Sequence, residues 1–142
     1  MKRVLLFVAL TAVALGTYGD DGGRKFKVLM SGAQEAPGPG DSDGRGIAIL
    51  RLNPGQEQVC FELFVENITL PAAAAHIHEA PAGVPGPVIR GLAAPDANGE
   101  ASGCVPLGRE EITEIILNPE EYYVNVHNSD FPAGAVRGQL SR

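Results

Sequence analysis

Gln58-Val59-Cys60-Phe61-Glu62-Leu63-Phe64-Val65 is the stretch that decides the fold class. Val59, Phe61, Leu63 and Val65 recur at every second position, with Cys60, Glu62 and Phe64 between them. Side chains alternate across a strand, so this period of two gives one apolar face and one mixed face. Cys60 lies on the mixed face, and any bond it makes should leave on the side opposite the apolar stripe. Just upstream, residues 47–52 alternate again, with Ala48, Leu50 and Leu52 on one side and Ile47, Ile49 and Arg51 on the other. Asn53-Pro54-Gly55 between the two segments is a turn signal, so the pair reads as a β-hairpin.

Outward from this hairpin, further strands are expected at residues 26–29, 73–79, 88–92, 100–105, 122–127 and 135–140, separated by Gly, Pro, Asn and Asp. The one helical signal is residues 109–117, with Ile112, Ile115 and Ile116 on one face and Asn118-Pro119 as the stop. A parallel α/β arrangement would need crossover helices that this chain lacks. The pattern predicts an all-β protein: an antiparallel, Greek-key-like β-sandwich of about eight strands with one short helix. No internal repeat is visible, and residues 20–142 read as a single domain with one hydrophobic core.

Residues 1–19 read as a signal peptide. Lys2 and Arg3 precede an apolar run over residues 4–15, and the small residues Ala14, Gly16 and Gly19 follow. The run is shorter than the roughly 20 apolar residues a membrane-spanning helix needs. The mature domain is therefore expected outside the cytoplasm, secreted or periplasmic, with no membrane span after signal removal. Losing Lys2 and Arg3 takes the formal charge from -6 to about -8. An acidic surface without a basic patch excludes nucleic acid as a partner. Cys60 and Cys104 are the only cysteines, and an oxidising compartment favours their pairing as a disulfide.

The chain has three histidines, all in strand-like segments. His76 and His78 flank Ile77 and project from the same face of one strand, and His127 ends another. Three converging imidazoles would suit copper or zinc, with Glu79, Asp130 or water completing the shell. The plainer reading is that these rings only hydrogen-bond turns at strand ends. Nucleophilic catalysis finds little support: no Gly-x-Ser-x-Gly elbow occurs, paired cysteines offer no thiolate, and Ser31, Ser102 and Ser129 lie in turns. No catalytic residue can be assigned. Arg137, between Val136 and Gly138 inside a strand, needs partners if it is buried. A structural ion pair with Glu35 is expected, with Glu79 and Asp130 as alternatives.

Five blocks of this sequence, taken in order, resemble the CHRD (chordin-like) domain. They are residues 32–37 (Gly-Ala-Gln-Glu-Ala-Pro), 74–78 (Ala-Ala-His-Ile-His), 86–88 (Gly-Pro-Val), 123–127 (Tyr-Val-Asn-Val-His) and 131–140 (Phe-Pro-Ala-Gly-Ala-Val-Arg-Gly-Gln-Leu). Ala36-Pro37 departs from the family's usual Val-Pro-Pro, and Ala135 stands where the family often has Glu. The growth-factor partner of chordin does not carry over to a single-domain chain. The His-x-His strand is also similar to the copper strand of Cu/Zn superoxide dismutases, but three histidines are too few for a dinuclear centre. The resemblance and the histidine spacing together lead to the expectation of an extracytoplasmic binding module, with one copper ion on His76, His78 and His127 or an extracellular or envelope protein as its partner. Two alternatives stand beside it: a dismutase-like copper redox enzyme, and a structural or interaction module with no metal.

Overall fold

A computed structural model describes residues 23–142. The expected signal peptide and the start of the expected domain lie outside the described residues. Among the described residues eight strands form: β1 (Arg24–Ser31), β2 (Arg45–Asn53), β3 (Gln58–Glu66), β4 (Ala74–Glu79), β5 (Val88–Leu92), β6 (Glu100–Pro106), β7 (Tyr122–His127) and β8 (Val136–Gln139). One helix, α1 (Arg109–Leu117), lies between β6 and β7. The all-β, antiparallel expectation holds, and both the helix and β5 fall on the predicted bounds. The sandwich is built from one continuous sheet in the order β5-β4-β7-β8-β1-β2-β3-β6. Its halves meet where β1 pairs with β8, and the register there is Ser31 opposite Arg137. Among the described residues β5 and β6 remain edges, so the sheet curls without closing.

The inward face follows the alternation in the sequence. Val59, Phe61, Leu63 and Val65 of β3 meet Ala48, Leu50 and Leu52 of β2 and Phe26, Val28 and Met30 of β1 in the core. The other half adds Ala75 and Ile77 of β4, Val124 and Val126 of β7, and Val136. Ile112 and Ile115 of α1 are fully buried against these strands, while Leu117 at the helix end stays exposed. Each fully buried aliphatic side chain of this kind contributes about 1.5–3 kcal/mol relative to leaving it in water. No helix among the described residues is long and apolar enough to cross a membrane.

The disulfide forms as expected. Cys60 and Cys104 are direct register partners on β3 and β6 and are bonded on the face away from the core stripe, closing a separation of 44 residues. A loop of that length stabilises by about 4 kcal/mol in the chain-entropy model. The flanking ladder holds the same two strands in register on its own, so the bond is not needed to define the topology. A Cys60→Ala/Cys104→Ala variant should keep its far-ultraviolet circular dichroism yet lose about 2–4 kcal/mol of stability in urea titration. An unchanged urea midpoint would count against this account.

Candidate metal centre

The outer face of β4, β7 and β8 carries a second, polar layer. Alternation puts His76 and His78 on the opposite side of β4 from Ala75 and Ile77. It does the same on β7 for Tyr123, Asn125 and His127, and on β8 for Arg137 and Gln139. The β4–β7 register sets His76 opposite Asn125 and His78 opposite Tyr123. This face is covered: Tyr123, Asn125 and Arg137 are buried to 3%, 2% and 1% exposure.

The three histidines converge, with one nitrogen from each lying within 4.8 Å of the others. Metal–imidazole bonds of about 2.0–2.1 Å put two nitrogens on one ion no more than about 4.2 Å apart. In trigonal or tetrahedral geometry the separation is about 3.3–3.6 Å, so the widest pair closes with a combined side-chain movement of about 1–1.5 Å.

Hydrogen bonds fix two of the tautomers. His127 Nδ1 lies 3.0 Å from the Pro132 carbonyl, and His78 Nδ1 lies 2.9 Å from the Gly86 carbonyl. A carbonyl oxygen only accepts, so each Nδ1 carries a proton, and in the neutral ring it is Nε2 that offers the lone pair. A carbonyl accepting from the far nitrogen in this way orients a metal-binding imidazole. His78 Nε2 is buried and has no hydrogen-bond partner. His127 Nε2 faces His76 Nδ1 at 3.0 Å and Asn125 Oδ1 at 3.1 Å. The Asn125 side chain favours the ionised form of the Glu35 carboxyl, and its Oδ1 lies against His127.

Burial, followed by the neighbouring imidazoles, holds His76 below the usual histidine range. Burial also lowers His127, and the Pro132 hydrogen bond partly opposes it. Neutral rings are the form a metal requires. Access comes from the β5 edge: Gly91 is the register partner of His76, and no atom lies within 4 Å of where its Cβ would stand.

Arg137 does not form the expected close ion pair with Glu35, nor with Glu79 or Asp130: no contact within 4 Å joins them. Its guanidinium donates instead to the carbonyls of Val84 (2.8 Å) and Pro81 (2.9 Å) and to Gln139 Oε1 (3.0 Å). The loop over residues 80–87 reaches the arginine first, because its backbone oxygens satisfy the planar donors without burying a carboxylate. Glu35 still feels Arg137 at longer range. Its carboxyl is packed so closely against Gly134 that a Cβ there would collide with it. Ser129 donates toward Asp130 and not to His127, so no serine–histidine pair forms there. Asn125 is the site residue that the sequence reading passed over. Its place between Val124 and Val126 on the histidine side of β7 was the available signal.

The family model of the CHRD domain matches residues 26–140. The chain belongs to the CHRD domain family. No curated protein and no solved structure matches it.

Burial raises the Glu35 carboxyl to about 7 against Arg137 and its own hydrogen bonds. A folded-state value above the unfolded one of 4.5 means the folded protein binds more protons between those two values. Stability attributable to Glu35 is then highest below the unfolded value and falls as pH rises through about 7. The full shift corresponds to about 3 kcal/mol, and solvent at the partly exposed carboxyl reduces this to about 1–2 kcal/mol. Glu35→Gln should therefore stabilise the metal-free protein by about 1–2 kcal/mol at pH 8 and by little at pH 4. Denaturant titrations of both proteins at the two pH values check this.

Proposed function

We propose that this CHRD domain is an extracytoplasmic metal-binding module that holds a single copper ion on His76, His78 and His127. The observation that carries the reading is His78 Nε2, a buried lone pair with no protein partner, on a ring whose other nitrogen is already committed to Gly86. An unmatched buried polar atom costs about 1–3 kcal/mol, and a metal would remove that cost. The lowered basicity of His76 and His127, two Nδ1–H groups tied to carbonyls and the gap at Gly91 support the same reading. The disulfide agrees with a working place in an oxidising compartment.

A purely structural role for the histidines accounts for the bonds to Pro132 and Gly86 but not for the unpartnered nitrogen.

The test is metal content of the purified protein after copper or zinc loading and desalting, with His76→Ala and His127→Ala alongside. One equivalent retained by the wild type and at least tenfold weaker retention in both variants is the expected result. Equal retention in all three, or none in the wild type, would sink the reading.

A further inference from the structure

Arg137 is a buried cation whose charge nothing in contact cancels. Its donors end on two backbone carbonyls and a side-chain amide, all neutral. Its guanidinium carbon sits 3.4 Å from the centroid of the Tyr123 ring. That ring in turn stacks on the His78 imidazole, with centroids 4.6 Å apart and planes 6° from parallel. Tyr123 is further held by its hydroxyl, which accepts a hydrogen bond from the Gly86 amide at 3.2 Å. Guanidinium, phenol and imidazole thus form one series ending at the unpartnered His78 Nε2. Arg137, Tyr123 and His78 are at most 7% exposed, so water and salt screen little of the charge along it.

We propose that Arg137 sets the ion selectivity of the three-histidine site, favouring monovalent Cu(I) over divalent ions such as Zn(II). This inference rests on the metal reading of the site. Repulsion from a fixed cation grows with the charge of the bound ion, so a divalent ion is opposed twice as strongly as a monovalent one. The neighbouring donors are imidazoles and the Asn125 amide, none of which carries a compensating negative charge. Imidazole itself accepts both ions, which leaves the electrostatics to discriminate. At about 10 Å and an effective dielectric constant of about 20, one unit of ion charge changes affinity roughly tenfold.

Glu35 opposes Arg137 from the loop after β1. Glu79 and Asp130 are exposed and face solvent that screens them. Arg137 also anchors the 80–87 loop, but loosening that loop alone has no reason to follow ion charge in this way.

Dissociation constants for Cu(I), measured by competition with a chromophoric chelator under anaerobic reducing conditions, and for Zn(II), by a fluorescent chelator, give the selectivity ratio at pH 8. The wild type, Arg137→Gln, Arg137→Lys and Glu35→Gln are compared. Preference for Cu(I) should fall roughly tenfold in Arg137→Gln, stay within roughly threefold of wild type in Arg137→Lys, and rise in Glu35→Gln. A lysine variant that loses the preference as fully as the glutamine variant would overturn the charge argument. Should Arg137→Gln not fold, Glu35→Gln decides: an unchanged or lowered preference defeats the proposal. Both ions bound with one ratio across all proteins would remove the selectivity claim and leave the metal site standing. A wild type that binds neither ion would remove both.

Discussion

A guanidinium deprived of water must find an acceptor for its donors, and at Arg137 that requirement organises one whole side of the domain. Its side chain leaves the outer face of β8 and is bonded by carbonyls from the loop over residues 80–87. Drawing that loop onto the sheet brings Gly86 to His78 through its carbonyl and to Tyr123 through its amide. Gln139, two residues along, adds bonds to the carbonyls of Ala80, Glu120 and Tyr122. The backbone of Arg137 meanwhile pairs with Ser31 where the two halves of the sheet join. One residue thereby ties the junction of the sheet to the cover of the candidate metal centre.

The same strands serve two interiors because their side chains alternate. Ile77 and Val124 enter the apolar core, while His76, His78, Tyr123 and Asn125 enter the polar layer behind it. A one-residue slip between β4 and β7 would exchange these sets, burying imidazoles among aliphatic side chains. The apolar core therefore enforces the register that brings the histidines together. Histidine convergence is a consequence of hydrophobic burial as much as of any attraction among the rings, which repel one another when protonated.

Much of the fold was legible in the chain. The alternation at residues 58–65 and 47–52 and the Asn53-Pro54-Gly55 turn fixed the hairpin because period and turn chemistry are local properties. The isoleucines of residues 109–117 did the same for the helix. His76 and His78 were readable as a pair for the same reason, being two apart on a strand. The partners of Arg137 were not: its acceptors are carbonyls some fifty residues away in sequence, and every residue has a carbonyl. Asn125 was hidden differently, since an asparagine in a strand looks like any outward polar residue until Glu35 and His127 are seen on either side of it.

The sequence by itself determined the secondary structure, the two faces of each strand, the availability of three imidazoles and the presence of two cysteines free to pair. These follow from the order of side chains along a chain whose geometry repeats every two residues. Only the tertiary structure decided that the cysteines are register partners, that the histidines share one space, and that one lone pair is left without a partner. It alone showed a buried positive charge stacked, through a tyrosine, behind a candidate ligand. Those facts depend on which distant backbone oxygens and rings come within about 3–5 Å of one another, and packing of the whole chain sets that.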